Sequence, residues 1–271
     1  MTTSISELIA DRMDAMPAGE RRAAQALVAN YPMIGLKTVA DFSAQAGVSS
    51  PTILRFVARL GFQNYPDFQS ALKDELAAQL QSPASRTAAA RRGASPVVEA
   101  TLENIRETFR HVPERQIRDI ATLLADPRAK LFLVGGRFTD PVARYMSAHM
   151  TIIRPNVFHL AGQESNWRDR LIDMGKRDVL LIFDIRRYQE SLIRFAEKAH
   201  QRGVQIVLFT DQWLSPIARF ARHVVAGRTA VPSAWDSSAA LFVVAETLIG
   251  ELTERLEQDS ARRIREMENL R

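Results

Sequence analysis

The 271-residue chain contains no cysteine, which excludes disulfides, thiolate metal sites and cysteine nucleophiles. It holds no uninterrupted apolar run near the ~18 residues a membrane-spanning helix requires. Twelve glycines and twelve prolines are too few for a low-complexity or collagen-like chain. The opening stretch MTTSISELIADRMDAM places acids early and lacks an apolar core segment, so it does not read as a secretory signal. A cytoplasmic location is the expectation. Histidine-rich metal spacing, a glycine-rich P-loop and a G-x-S-x-G elbow are all missing from the sequence. No cofactor, no resident metal and no catalytic residue are therefore expected.

The apolar fraction of 46% and charged fraction of 25% are those of an ordinary globular chain. The length suits one large or two modest domains. The formal net charge is +5, which permits a polyanionic partner without demanding one. Residues 1–80 carry seven Lys/Arg against eight Asp/Glu. Any nucleic-acid affinity in that segment must come from arginines placed locally, not from a general positive field.

The clearest seam is QSPASRTAAARRGASP, residues 81–96, where Pro, Ser, Ala and Arg replace apolar periodicity. Arg86, Arg91 and Arg92 lie there without a nearby acid, as a solvated linker or a graze against phosphate. Three parts follow: 1–80, the linker 81–96, and 97–271. The first is helical throughout, with a helix over 17–30. In the third, helices at 97–111 and 113–125 precede a strand at 130–136, KLFLVGG, ended by two glycines. Strands at 156–161, 178–184, 204–211 and 222–227 then alternate with helices at 139–150, 164–174 and 188–202, a short helix from Ser215, and a long one at 237–256. Alternation of this kind predicts a five-stranded parallel sheet covered by helices on both faces. The strongly charged 251–271 reads as a solvated helical extension.

Residues 38–62, TVADFSAQAGVSSPTILRFVARLGF, carry the most specific pattern. Thr38 suits the N-cap of a helix whose Val39, Phe42 and Ala46 share one face. Gly47 fits the left-handed residue that ends it. Ser50, placed before Pro51, is expected to cap the next helix. In that helix Ile53, Phe56, Val57 and Leu60 form a buried stripe, and Thr52, Arg55 and Arg59 oppose it. Two short helices around a glycine turn form a helix-turn-helix, whose second helix enters the major groove of DNA. The candidate DNA-binding residues are then Thr38, Ser49, Ser50, Thr52, Arg55 and Arg59: Ser49, Ser50 and Thr52 are hydrogen-bonding groups near base edges, Arg55 a bidentate partner for guanine, and Arg59 a phosphate contact. A helical hairpin with a solvated face would show the same spacing.

The wording A-G-V-S-x-x-T-I-x-R-F followed by L-G-F-x-x-Y-x-x-F, within residues 17–76, closely resembles the N-terminal domain of RpiR-family transcription regulators. The remainder resembles, by layout, the sugar isomerase (SIS) domain those regulators carry: LFLVGG, DVLLIFD, A-x-x-x-G-V-x-I-V-L-F-T-D, S-P-I-A-R-F-A and the final S-S-A-A-L-F. The resemblance implies a two-domain protein, an all-α helix-turn-helix domain followed by an α/β SIS domain. It implies a double-stranded DNA operator and a small anionic effector, a sugar phosphate or sugar acid, held at the C-terminal strand edge. It also implies a homodimer or homotetramer reading a palindrome.

Two loops depart from the family. Its usual G-x-G-x-S is here Gly135-Gly136-Arg137-Phe138-Thr139, and its phosphate loop S-x-S-G-x-T is Asp184-Ile185-Arg186-Arg187-Tyr188-Gln189. Gly136, Arg137, Thr139, Asp184, Arg186, Arg187 and Gln189 are the candidate ligand-binding residues. Two readings stay open: arginine forks hold the anion in place of the lost nest, or Asp184 and the arginines pair internally. Tyr188 and Trp235 are candidates for stacking on a ligand or for packing. Glu164 and Asp236 are candidates for ligand hydroxyls, and His159 and His149 read as structural. Isomerisation would need a placed base, for which Glu164, His159 or Glu190 could be nominated without a recognisable constellation. The alternatives to a sensing regulator are a SIS-type sugar-phosphate isomerase, or a DNA-binding protein whose altered SIS domain only dimerises.

Overall fold

The computed structural model describes residues 3–87, 95–162 and 164–270. Arg91 and Arg92, named above, lie outside the described residues. The N-terminal part is built from α1 (Ile5–Arg12), α2 (Ala18–Ala29), α3 (Val39–Ala46), α4 (Ser50–Arg59) and α5 (Tyr65–Gln79). The short α6 (Pro83–Thr87) falls in the expected linker, and α7 (Ser95–His111) and α8 (Glu114–Leu124) lead into the α/β part. There β1 (Leu131–Gly135), α9 (Asp140–Ile153), β2 (Val157–His159), α10 (Glu164–Arg170), β3 (Val179–Phe183), α11 (Glu190–Gln201), β4 (Gln205–Asp211) and β5 (His223–Gly227) precede α12 (Ala239–Arg255) and α13 (Glu257–Asn269).

Local chemistry sets most boundaries. Ser4 caps α1 reciprocally: its hydroxyl accepts from the Glu7 amide, and its own amide donates to the Glu7 carboxylate at 2.7 Å. Thr38 caps α3 by accepting from the Asp41 amide at 3.1 Å. Gly47 ends α3 at φ +63°, in the left-handed region where a glycine carries no steric penalty. The N-cap of α4 is Ser49, one residue before the expected Ser50; Pro51 then sits in the first turn, where a missing amide hydrogen costs nothing. Phe42, Ile53, Phe56, Val57 and Leu27 close the core that α2, α3 and α4 share. The charged C-terminal helix breaks from α12 at Leu256, and Arg263 of α13 donates to the Thr151 carbonyl at 2.8 Å, tying it to α9.

The five strands are all parallel, in the order β2-β1-β3-β4-β5. Alternate residues face opposite layers. Phe132, Val134, Leu180, Ile182, Ile206 and Leu208 join one apolar cluster, and Leu131, Leu133, Val179, Leu181, Val207 and Phe209 join the other. The chain reverses its direction of travel across the sheet between β1 and β3. In open parallel sheets that switch point, beyond the carboxyl ends of the strands, is where a crevice opens.

The first cluster runs without a break from the sheet into the helix-turn-helix core. The N-terminal domain is docked, not tethered. Ser6 donates to the Gln212 carbonyl at 2.6 Å, and Arg228, just beyond β5, meets Glu7 of α1 at 2.8 Å and Glu107 of α7 at 3.6 Å. All three of these side chains are nearly buried.

Candidate functional sites

On the outer side of the helix-turn-helix, Ser49, Leu54 and Arg55 are exposed. The Ser49 and Thr52 hydroxyls are hydrogen-bonded at 2.9 Å, and Arg55 donates to the Thr52 hydroxyl at 3.0 Å. The three side chains form a short chain along the N-terminal half of α4. Ser50 turns inward, 3.3 Å from the Ser43 hydroxyl. Thr38 stays on the surface, with its hydroxyl donating to Asp41 at 2.7 Å. Arg59 departs from the expectation of a free phosphate contact. Its guanidinium is ion-paired with Glu20 of α2, a nearly buried carboxylate. A charge that neutralises an internal acid is less available to DNA.

At the sheet's C-terminal edge the altered loops meet. Gly135 lets the start of α9 approach: a Cβ there would lie 2.4 Å from the Asp140 amide nitrogen. Thr139 does not offer its hydroxyl to a ligand, contrary to expectation. That hydroxyl donates to the Phe183 carbonyl at 2.5 Å and accepts from the Gly136 amide at 2.9 Å, locking the β1 loop to β3. Asp184 is buried. It accepts from the Ser215 hydroxyl at 2.6 Å and from the Gln189 amide, at the start of α11, at 3.3 Å. An internal carboxylate thus occupies the amide that a bound anion would use at this helix terminus. Burial pushes the Asp184 carboxyl up to about 7, against the stabilising pull of those two donors and with a small addition from Asp211.

Arg186 is likewise not the free clamp the sequence suggested. Its guanidinium meets Asp236 at 2.7 Å, donates to the Ala78 carbonyl of α5 at 2.8 Å, and stacks 4.2 Å above the Trp213 ring. Arg86 of α6 takes the other oxygen of Asp236 at 2.8 Å and the Val231 carbonyl at 3.1 Å. Internal pairing is therefore the outcome for Arg186 and Asp236. Tyr188 is engaged too, donating to the buried Asp211 at 2.7 Å. Burial raises the pKa values of both groups.

Arg137, Arg187 and Gln189 remain presented. Arg137 is exposed and lies 5.2 Å from the centroid of the Phe138 ring. Gln189 donates to Ser191 at 2.7 Å and reaches Glu164 at 3.5 Å. Gly136, Arg137 and Gln189, but not Arg187, line an open trough of about 520 Å³ above β1, together with Glu164 and Asp140. His159 pairs with Asp140 at 2.8 Å on the rim, and His149 rests against Tyr145 within its helix. No cluster of metal-ligating side chains occurs among the described residues. No described helix is long and apolar enough to cross a membrane.

Sequence reasoning missed α1 and the Glu7–Arg228–Glu107 cluster. The S-x-x-E spacing at Ser4 was the available signal for the helix. The docking itself joins residues more than 200 positions apart, which no local pattern announces.

Comparison with known proteins covers both halves. The helix-turn-helix domain model of the rpiR family matches residues 3–79, and the SIS domain model matches residues 123–250. The chain is 26% identical over 226 residues to the "Bifunctional protein glk" of Burkholderia thailandensis and of Burkholderia pseudomallei. That alignment covers 81% of this chain but 34% of those proteins, so the chain spans about a third of their length. Among solved structures, the sugar isomerase domain of an RpiR transcription factor from Sphaerobacter thermophilus superposes with a TM-score of 0.60 at 21% identity, covering 64% of this chain and 96% of that one. The Vibrio vulnificus NanR protein, complexed with ManNAc-6P, superposes with a TM-score of 0.56 at 15% identity over 98% of this chain and 97% of that one. At these identities the two structures establish a shared fold. The chain thus carries a helix-turn-helix domain of the rpiR family followed by a SIS domain.

Proposed function

We propose that the chain is a sequence-specific DNA-binding transcription regulator whose SIS domain senses a small anionic metabolite. The observation that carries the DNA reading is the polar edge of α4. Ser49, Thr52 and Arg55 lie in one hydrogen-bonded line on the outer face, behind a turn closed by Gly47. Such a line pre-orients a guanidinium for the two acceptors of a guanine edge, a contact worth about 1–3 kcal/mol of discrimination. The domain limits that follow are 1–80 and 97–271, joined by 81–96. A homodimer or homotetramer would present two recognition helices to a palindromic operator. An unbiased selection from random duplexes at moderate salt tests this. An enriched motif is expected, and a pool that stays random contradicts it.

The ligand reading rests on the trough above β1. Arg137 offers a charge for the anion, and Glu164 and Gln189 offer partners for hydroxyls. Sugar phosphates and sugar acids are the first class to screen, since a protein of the same fold holds ManNAc-6P. Coupling to DNA would run through the loop 184–189, because Gln189 faces the trough while Arg186 grips the end of α5. A ligand alters operator affinity only by its differential affinity for two placements of that loop and the domain docked on it. If no anion stabilises the protein at concentrations far above a plausible dissociation constant, the SIS domain serves assembly alone.

One observation favours a second reading, catalysis of sugar-phosphate isomerisation. The His159–Asp140 pair sits on the trough's rim, where a base would be useful. Turnover of hexose or pentose phosphates that is lost in His159→Ala would establish it.

A further inference from the structure

A second cavity, of about 350 Å³, lies on the other side of the β1 and β3 loops, beneath the linker helix α6. Its size falls near the lower end of small-molecule sites, roughly 300–1,000 Å³. Two aromatic rings form its mouth. Phe138 is 61% exposed and Trp235 59% exposed, with ring centroids 5.8 Å apart at 56°. Two large rings left in solvent side by side need an explanation that core packing does not supply.

The charges of the cavity are unequal in their availability. Both oxygens of Asp236 are taken, one by Arg86 at 2.8 Å and the other by Arg186 at 2.7 Å. Arg187 therefore has no carboxylate to neutralise it, and it makes no hydrogen bond or ion pair among the described residues. Its backbone holds φ +60°, a left-handed conformation that is strained for a non-glycine residue. An outlier of this kind, at a cavity lined by three guanidinium groups and one committed carboxylate, has the character of a ligand contact. The neutral hydrogen-bonding side chains of the lining are Gln81, Ser238 and the Trp235 indole N–H, which only donates. A hexose phosphate would bury several hydroxyls there without partners, which is costly.

We propose that this cavity is a second ligand site, selective for an anion carried on a flat apolar or aromatic body. The rings of Phe138 and Trp235 take the body, and Arg187 takes the carboxylate or phosphate. The occupant would touch Arg86 and the loop around Arg186, and so reach the linker and the end of α5. The site is separate from the trough above β1 and does not depend on what that trough binds.

Titration of the full chain with naphthalene-2-carboxylate and with phenyl phosphate, followed by calorimetry and tryptophan fluorescence, tests the proposal. Saturable binding of both is expected. Arg187→Ala and Trp235→Ala should each weaken it by about tenfold or more, while Trp235→Phe retains it. Both side chains are exposed, and unchanged melting of the unliganded variants checks the fold. Glu164→Gln, in the trough, should leave aryl-anion binding as it was while disturbing any sugar response. Absence of saturation at millimolar concentration overturns the site, and binding indifferent to both alanine variants overturns its location. Inorganic phosphate binding as tightly as phenyl phosphate, or glucose 6-phosphate displacing the aryl anions, overturns the ligand class. None of these outcomes touches DNA binding or the sugar trough, so the two readings fail separately.

Discussion

Asp184 shows how one residue alters what a helix terminus can do. In the folded protein its carboxyl holds a proton up to about pH 7, against roughly 3.9 for an unfolded chain. Between those values the folded state binds more protons than the unfolded one, so its contribution to stability falls as pH rises from ~4 towards 7. Above pH 7 the loss is complete and flat. Asp184→Asn keeps an acceptor for Ser215 and removes the titration. Its stability should therefore fall less than the wild type's across that window, and chemical denaturation at pH 5 and pH 8 reads the difference. Arg55 and Arg59, one turn apart, make a second contrast. Arg59→Ala leaves the nearly buried Glu20 unpaired and should lower the melting temperature. Arg55→Ala touches only an exposed hydroxyl and should leave melting unchanged.

Among the elements, all five strands and the helix-turn-helix were legible in the sequence because each has its own period. KLFLVGG reads as a buried strand from its continuous apolar run, and its glycines report the approach of α9. Gly135→Ala would drive a Cβ into the Asp140 backbone and should destabilise the protein by about 1–3 kcal/mol, measurable by denaturant melts. The start of α4 differs by one residue from its expected place because Ser49 and Ser50 are both good caps, and only the backbone decides. The candidate ligand residues were legible as positions but not as states. Sequence places Thr139, Asp184 and Arg186 at the sheet's edge. It cannot say that Phe183, Ser215 and Asp236, brought from other strands and loops, have already taken their polar groups.

For the molecule as a whole, the docking of the helix-turn-helix on the sheet's edge is the feature with the most consequence. Arg228 neutralises two acids, Glu7 from α1 and Glu107 from α7. Removing one member of a buried charge cluster typically costs about 3–5 kcal/mol, because the remaining charges lose their partner. Arg228→Ala should loosen α1 selectively, seen as faster amide exchange over Ile5–Arg12 with β1 and β3 still protected. Unchanged protection of α1 would mean that the apolar contacts alone hold the domains together. Arg186 adds a second tie between the domains, donating to the Ala78 carbonyl at the end of α5.

The central claim is that α4 reads bases, and competition binding of the full chain to a selected duplex tests it most directly. Each base pair of a half-site is varied in turn at fixed salt, for the wild type and for Arg55→Ala. The wild type should discriminate at one G·C pair by about 1–3 kcal/mol, and the variant should lose preference there while keeping it elsewhere. An identical base profile for both proteins would contradict the assignment of α4 as the recognition helix.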